Sequence, residues 1–174
     1  DNLLEGGAGN DTLVGLAGAD TMRGGAGDDI YYVSDATDRV VELGGEGYDH
    51  VISTVSYSIQ VQWIEEITLM GDAVWATGNG IANVMTGNTL ANSLSGENGD
   101  DTLDGGAGAD SLSGGQGNDV YIVDNIGDLV LEKEDQGFDT VLAAVDFQLA
   151  ANAEALTLTG NAIRGRGNAL DNTL

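Results

Sequence analysis

A nine-residue unit that repeats without a gap constrains the fold of this chain more than any other feature. The first three copies begin at Gly6, Gly15 and Gly24 and read GGAGNDTLV, GLAGADTMR and GGAGDDIYY. The same period returns at Gly78 and continues through the unit that begins at Gly114. Internal repetition at this scale is typical of a solenoid or array, in which small identical units stack on one another.

Two positions of the unit keep one kind of residue throughout. The sixth is always Asp or Asn: Asp11, Asp20, Asp29, Asn83, Asn92, Asp101, Asp110 and Asp119. The eighth is always large and apolar: Leu13, Met22, Tyr31, Met85, Leu94, Leu103, Leu112 and Tyr121. Asp38 with Val40 and Asp128 with Val130 continue the register one unit beyond the glycines. A disordered Gly/Asp-rich linker would not hold an apolar residue in such strict register.

A longer repeat is superimposed on the short one. The segment from Gly24 aligns with the segment from Gly114 at an offset of 90, and the segment from Glu65 aligns with that from Glu154 at an offset of 89. The chain is therefore about two copies of one unit. We predict repeat blocks over 1–42 and 78–132, with β-strand spacers over 43–77 and 133–174.

Physical chemistry assigns a structure to each part of the nine-residue unit. The first part, rich in Gly, Asn and Asp, favours a turn, because Gly accepts positive φ and Asp caps its own backbone. The rest forms a short strand whose middle side chain points inward. Two units then close one coil, and stacked coils pair their strands in parallel. The predicted fold is an all-β, right-handed parallel β-roll (a β-solenoid) with stacked turns and intervening β-strand spacers.

The charge of the chain requires a neutralising partner. Asp and Glu number 29 against five Lys and Arg, which gives a formal net charge of −24. Such self-repulsion opposes a compact state, and one apolar side chain per unit makes a thin core. Without clusters of Lys and Arg, nucleic acid and anionic membrane surfaces are poor partners. The absence of cysteine excludes disulfides and thiolate ligands. A hard divalent cation is the natural neutraliser, and it would couple metal binding to folding.

The turns have the ligands that such a cation needs. Glycine lets neighbouring backbones approach closely and frees carbonyl oxygens to point between turns, and the sixth-position aspartate adds carboxylate oxygens to the same gap. A cage of about six to seven oxygens suits calcium, whereas magnesium demands tighter octahedral geometry and keeps its waters.

The units resemble the GGxGxDxUx nonapeptide of RTX proteins, and YIVDNIGDLVLEKEDQGFDTV resembles the spacers of large secreted bacterial RTX proteins. The resemblance implies about four to eight calcium ions, each between turns two repeats apart. The implied ligand sets are Gly7, Gly9 and Asp11 with Gly24, Ala26 and Asp29; Leu16, Gly18 and Asp20 with Val33, Asp35 and Asp38; Glu97, Gly99 and Asp101 with Gly114, Gln116 and Asp119; and Gly106, Gly108 and Asp110 with Val123, Asn125 and Asp128.

Several residues depart from the motif. The second and fourth ligand sets lack glycine in their second turn, and Asn83 and Asn92 replace the carboxylate of their turns. We expect those Asn turns to stack their amides and to bind an ion weakly or not at all. Four further carboxylates complete the inventory: Glu42 and Glu132 are either extra ligands or solvated strand ends, and Asp49 and Asp139 are expected to be turn caps.

No catalytic constellation stands out, so we expect this segment not to be an enzyme. His50 is the only histidine, which excludes HExxH and nucleophiles paired with histidine. No GxSxG or GxxxxGK sequence occurs. Trp63 and Trp75 are interpreted as local packing, with stacking on carbohydrate as the other option.

The predicted function is that of a calcium-binding structural repeat of a secreted bacterial RTX protein of the adhesin, surface-layer or fibre type, which rigidifies in extracellular calcium. By resemblance, export would use a type I secretion channel and the protein would be extracellular or on the cell surface. The alternative is an accessory domain of a secreted metalloprotease, lipase or alginate epimerase. Expected partners are calcium and adjacent repeats, with self-association or a surface glycan left open, and without nucleic acid or membrane insertion.

Overall fold

A computed structural model describes residues 1–174. All of its regular structure is β, and none of it is a helix that could span a membrane. The 19 strands are β1 Leu3–Ala8, β2 Thr12–Val14, β3 Thr21–Ala26, β4 Ile30–Val33, β5 Arg39–Val40, β6 His50–Ser53, β7 Tyr57–Ser58, β8 Glu66–Leu69, β9 Trp75–Thr77, β10 Val84–Thr86, β11 Ser93–Asn98, β12 Thr102–Asp104, β13 Ser111–Gln116, β14 Val120–Val123, β15 Leu129–Val130, β16 Thr140–Ala143, β17 Phe147–Gln148, β18 Ala155–Leu158 and β19 Gly165–Arg166.

Alternate strands fall on opposite faces of a solenoid. The nine even-numbered strands form one sheet in the order β2 to β18, and each pairs in parallel with the next. The odd-numbered strands form the other face in three separate groups: β1-β3-β5, β7-β9-β11-β13-β15 and β17-β19. This arrangement of about nine coils confirms the predicted all-β parallel solenoid.

The strand register confirms that two nonapeptides make one coil. Leu13 pairs with Tyr31 and Leu103 with Tyr121, each at an offset of 18 residues. The same offset separates Asp11 from Asp29, whose carboxylate accepts the backbone N–H of Asp11. The coil length therefore brings each eighth-position side chain beside the same position two units later. The inward side of each strand is therefore preserved from coil to coil.

The spacers belong to the same stack but divide their residues unevenly between coils. Ile30 pairs with His50 and His50 with Glu66, so the offset between coils rises to 20 and then falls to 16. In the second copy the corresponding offsets are 20 and 15. This deficit of one explains the sequence offset of 89 instead of 90 between the two copies. The predicted boundaries at 42, 77 and 132 remain predictions, and the nine-stranded sheet is continuous across all of them.

The core holds two columns of apolar side chains, one from each face of the solenoid. On the nine-stranded face the members are at most 4% exposed, and neighbours are paired residues of adjacent strands: Leu13, Tyr31, Val51, Ile67, Met85, Leu103, Tyr121, Val141 and Leu156. The odd-numbered strands contribute Met22, Val40, Tyr57, Ala76, Leu94, Leu112 and Val130. This narrow core leaves the glycine turns outside it, where backbone and carboxylate oxygens decide the packing.

Close contact between successive turns explains the glycines of the fourth position. Gly27 has a φ of +135°, and a Cβ atom there would lie 2.5 Å from the carbonyl oxygen of Gly9 in the preceding coil. Both the left-handed backbone and the missing side chain are therefore required at this position. Gly80 is different, since its φ is not left-handed and a Cβ there would meet open space.

Gly27→Ala is expected to lower the free energy of unfolding of the calcium-loaded chain by about 2 kcal/mol or more, because left-handed strain and a backbone clash add together. Gly80→Ala is the matched control and should leave stability within about 0.5 kcal/mol of wild type. Urea unfolding followed by circular dichroism measures both. Equal stabilities of the two variants would contradict this account of the turns.

Candidate calcium sites

The sixth-position aspartates form hydrogen-bonded ladders along the stack. The backbone N–H of Asp11 donates to Oδ1 of Asp29 at 2.7 Å, and the N–H of Asp101 donates to Oδ1 of Asp119 at 2.8 Å. The other two predicted carboxylate pairs are joined in the same way, Asp20 to Asp38 at 3.1 Å and Asp110 to Asp128 at 3.0 Å. All four pairs predicted from the repeat are thus brought together on adjacent coils.

The second carboxylate oxygen of six of these aspartates has no partner in the protein. Each is buried and accepts no hydrogen bond: Oδ2 of Asp11, Asp20, Asp29, Asp101, Asp110 and Asp119. A buried polar atom without a partner costs free energy, and a buried carboxylate must be paired or must bind a metal. This donor set therefore fits the calcium that the repeat implies.

Backbone carbonyls approach the same spaces. A Cβ atom on Gly6 would lie 2.5 Å from Oδ2 of Asp11 and 2.8 Å from the carbonyl oxygen of Gly24. Two predicted ligand oxygens from adjacent coils thus border one space that the glycine leaves open. A Cβ atom on Gly96 would likewise lie close to Oδ2 of Asp101 and 2.7 Å from the carbonyl oxygen of Gly114.

The other carbonyls of the first and third ligand sets lie between adjacent turns. The carbonyls of Gly7 and Gly9 face the next turn at Gly25 and Gly27, and those of Glu97 and Gly99 face Gly115 and Gly117. The carbonyls of Ala26 and Gln116 each accept an N–H of the preceding turn at 2.7 Å. A carbonyl that accepts one N–H keeps a second lone pair, so every predicted oxygen of these sets retains capacity for an ion.

The second turn of the other two ligand sets is already satisfied. Oδ2 of Asp38 accepts the N–H groups of Ser34 and Asp35 at 3.1 and 3.0 Å, and Oδ2 of Asp128 does the same with residues 124 and 125. The predicted carbonyls there also accept a backbone N–H: Val33, Asp35, Val123 and Asn125. Asp38 and Asp128 thus have no oxygen without a partner, unlike Asp20 and Asp110, whereas these carbonyls keep a second lone pair as in the other sets. The ligands of both sets remain predictions.

Left-handed backbone marks the second and fourth positions of the nonapeptide turns that carry Asp at the sixth position. Leu16 has a φ of 64° and Glu97 a φ of 84°, although neither is glycine. The predicted ligand glycines at these two positions share this conformation: Gly7, Gly9, Gly18, Gly99, Gly106 and Gly108. The two exceptions show that the turn keeps its shape when the sequence departs from the motif.

The Asn turns satisfy their own polar groups. Oδ1 of Asn83 accepts the N–H of Asn79 at 2.9 Å, and its Nδ2 donates to the carbonyl of Ile64 at 2.8 Å. Asn92 makes the equivalent bonds to Asn88 and Ala73 at 2.8 and 3.1 Å. An amide supplies the donor that a carboxylate lacks, so it occupies the position with no need of a cation. This geometry supports the expectation that the Asn turns bind an ion weakly or not at all.

Burial also opposes ionisation of the ladder carboxylates. It raises the pKa of Asp101 to about 8, and it is the main cause of the raised pKa values of Asp29, Asp110 and Asp119. Neighbouring carboxylates raise these pKa values further, while the hydrogen bonds from backbone N–H groups lower them. A divalent cation would remove this penalty by pairing with the charged form.

Carboxylates where the repeat blocks meet the spacers also belong to the candidate site, which the sequence did not predict. Asp49 and Asp139, which we expected to be turn caps, continue the ladder: their Oδ1 atoms accept the N–H groups of Asp29 and Asp119 in the preceding coil, each at 2.9 Å. Their Oδ2 atoms, however, are buried without partners. Glu42 is only 4% exposed, so it is not a solvated strand end. Their position in the sequence could have identified Glu42 and Glu132 as candidate ligands. Each lies one regular coil after the glycine that begins the last nonapeptide of its block, Gly24 or Gly114.

The metal-free fold is expected to lose stability as pH rises from about 4 to about 8. In the folded state the pKa values of Glu42 and Glu132 are raised from 4.5 to about 8, and that of Asp101 from 3.8 to about 8. Those of Asp49 and Asp139 are raised from 3.8 to about 6. The folded state thus holds protons that the unfolded state releases in this range, so unfolding becomes easier at higher pH. Far-UV circular dichroism of the metal-stripped protein from pH 5 to pH 8 measures this difference as a loss of β signal. Greater stability at pH 8 would contradict it.

Asp101→Asn is expected to raise the calcium concentration needed for half-maximal folding about tenfold, which corresponds to about 1.4 kcal/mol. The amide can keep the hydrogen bond to Asn83, but it removes the charge that a cation requires. Asp72→Asn is the control, because it removes one charge from an exposed spacer position. Equal calcium midpoints for the two variants, measured by circular dichroism, would show that Asp101 is not a ligand.

Comparisons with known proteins agree with this geometry. Residues 1–40 and 86–121 match the model of the RTX calcium-binding nonapeptide repeat in four copies. The chain is also 36% identical over 83 residues to the endo-1,3-1,4-beta-glycanase ExsH of Rhizobium meliloti (strain 1021). Those residues are 47% of this chain and 18% of that relative, so the match covers less than a fifth of the relative. Residues 1–40 and 86–121 are thus RTX calcium-binding nonapeptide repeats, in four copies.

Proposed function

We propose that this chain is a calcium-dependent structural module of a secreted bacterial protein, one that folds and rigidifies in extracellular calcium. One observation carries the proposal: ten buried carboxylate oxygens in the stack have no hydrogen-bond partner. Buried carboxylates in such number oppose folding unless cations neutralise them. Calcium bound between the turns would supply two positive charges per ion and saturate these oxygens.

The charge balance supports a folding switch. At a net charge of −24, the metal-free chain is self-repelling, and its core is narrow, with few apolar side chains in each coil. In the low calcium of a bacterial cytoplasm such a chain would remain extended and suitable for export. In millimolar calcium outside the cell, about four to eight ions would contribute about 8 to 16 positive charges. Export through a type I secretion channel belongs to the same proposal.

The continuity of the stack favours a structural parent protein. The nine-stranded sheet passes through both copies of the long repeat without interruption, and the coils of each spacer carry the sheet onward. Further copies in tandem would extend the same rod, which suits an adhesin, a surface-layer protein or a fibre. Adjacent repeats are then the main protein partner. Trp63 and Trp75, which are 50% and 43% exposed, are the surfaces on which a glycan could stack.

A second candidate is an accessory domain of a secreted enzyme, with no catalytic role of its own. The similarity to a glycanase over 83 residues favours this alternative. The only histidine, His50, lies in β6 with its Nε2 atom 2.9 Å from Oγ1 of Thr68. Sequencing the complete parent gene distinguishes the candidates. A hydrolase or protease domain beside the repeats supports the accessory role, and a long tandem array of the longer repeat supports the structural one.

Calcium is expected to convert the isolated chain from a disordered to a β-rich state, and equal magnesium should not, because magnesium retains its waters and demands octahedral geometry. Far-UV circular dichroism with each metal, followed by reversal with a calcium chelator, measures the switch. A chain that is already fully β-folded in chelator at neutral pH would contradict it, and so would an equal response to both metals.

A further inference from the structure

Three carboxylates meet where each repeat block joins its spacer. At the first junction they belong to Asp29, Glu42 and Asp49, and one oxygen of each lies within 4.8 Å of the other two. At the second junction the equivalent residues are Asp119, Glu132 and Asp139, with the same spacing. We call these two clusters the junction triads. In each triad, one carboxylate comes from the last nonapeptide and two come from the first coil of the spacer.

Every carboxylate of the junction triads has a buried oxygen without a partner. The atoms are Oδ2 of Asp29, Oε2 of Glu42 and Oδ2 of Asp49, with the same atoms of Asp119, Glu132 and Asp139 at the second junction. Asp29 and Asp49 are 1% exposed and Glu42 is 4% exposed. Such oxygens have lost water and gained nothing in its place, so they indicate a ligand that the protein itself does not provide.

Other hydrogen bonds orient these carboxylates. Oδ1 of Asp29 accepts the N–H of Asp11 at 2.7 Å, Oδ1 of Asp49 accepts the N–H of Asp29 at 2.9 Å, and Oε1 of Glu42 accepts the N–H of Gly24 at 3.2 Å. One oxygen of each group is therefore anchored by the backbone. The other oxygen of each group has no partner in the protein.

Tyrosine hydroxyl groups complete both clusters. The hydroxyl of Tyr31 accepts the N–H of Gly24 at 2.6 Å. At the second junction the hydroxyl of Tyr121 accepts the N–H of Gly114 at 2.7 Å and donates to Oε1 of Glu132. Tyr31 and Tyr121 are the only tyrosines among the eighth-position residues of the nonapeptides, and each belongs to the last unit of its block.

The enlarged coil of the spacer makes room for the glutamate. Glu42 follows Gly24 at an offset of 18 and so takes the place of a first-position glycine. In a regular coil a side chain there would clash, since a Cβ on Gly24 would collide with Oδ2 of Asp29 and the hydroxyl of Tyr31. Asp29 is the fifth residue after Gly24, whereas Asp49 is the seventh after Glu42. This longer turn lets a glutamate side chain enter the stack.

No cationic side chain of the chain neutralises the triads. The three ion pairs of the structure join the amino terminus to Asp20, Arg23 to Glu5 and His50 to Glu66. Three mutually close carboxylates without a positive partner repel one another, and burial makes this worse. Burial also raises the pKa of Glu42 and Glu132 to about 8 and that of Asp49 and Asp139 to about 6.

We propose that each junction triad is a divalent-cation site of a second kind, built from three side-chain carboxylates, that binds calcium at the boundary of block and spacer. Carboxylate oxygens without nitrogen or sulfur ligands suit a hard cation. With three carboxylates, the triads bind more tightly than the nonapeptide sites, whose ligands are mostly backbone carbonyls. The proposal depends on the proposed function only for the identity of the cation.

The double variant Glu42→Gln/Glu132→Gln tests the proposal. Glutamine has the shape of protonated glutamate, so it removes a charged ligand without leaving a cavity, and every nonapeptide aspartate remains. The control is Asp72→Asn/Glu134→Gln, which removes the same charge from exposed spacer positions. Native mass spectrometry and equilibrium dialysis at graded free calcium count the bound ions. The double variant is expected to bind two fewer ions than wild type, from the tightest class, and the control as many as wild type.

Equal ion counts for wild type and double variant would overturn the proposal while leaving the nonapeptide sites intact. Failure of the proposed function has a different signature, since wild type, control and variant would then all bind no calcium. That result would also overturn calcium as the ion of the triads.

Terbium luminescence tests the triads without a variant at a carboxylate ligand. In a Trp63→Phe/Trp75→Phe background, terbium excited through tyrosine should emit from the triads and be displaced by calcium. Adding Tyr31→Phe/Tyr121→Phe should remove most of that emission. Undiminished emission after loss of both tyrosines would overturn the placement of the ions, even if the glutamine variant failed to fold.

Discussion

The hydrogen bond from a backbone N–H to the aspartate carboxylate one coil later is the interaction on which the stack depends. It fixes the distance between turns and holds each carboxylate in one orientation, with one oxygen used and the other free. Asp29 donates to Asp49 in the enlarged coil as Asp11 donates to Asp29 in a regular one. The ladder therefore continues into the spacer even though the coil there is longer. Because the free oxygens follow the same ladder, the fold itself places the oxygens that a cation would bind.

A single atom distinguishes a turn that needs a cation from one that does not. Asn83 and Asp101 occupy equivalent positions on adjacent coils, and their side chains have nearly the same shape. The amide nitrogen of Asn83 donates to a carbonyl that the preceding coil presents, whereas Oδ2 of Asp101 has no partner. The Asn side chains in the middle of the stack are consequently satisfied within the protein. The carboxylate oxygens without a partner lie in the turns on either side of it.

The regular part of the fold could be predicted from the sequence because its period is constant. Coil length, parallel pairing and the inward column all follow from a nine-residue unit with one apolar position. The spacer could not be predicted in the same way. In the first copy its long coil and its short coil together match two regular coils, so the sequence alignment does not show how the residues divide between them. The sequence alone cannot assign Glu42 for that reason, since its place in the stack depends on where the long coil gains its extra residues.

The parallel stacking of coils also determines how much the chain shortens when it folds. The residues of one regular coil span about 60 Å when fully extended, whereas a closed coil adds only about 5 Å to the axis of the solenoid. The whole chain would therefore shorten from about 590 Å to a rod of about 43 Å, as nine strands of the continuous sheet imply. For a thread that leaves a cell through a narrow opening, each coil that closes outside is too wide to re-enter. Folding would then rectify diffusion into outward movement, one coil at a time.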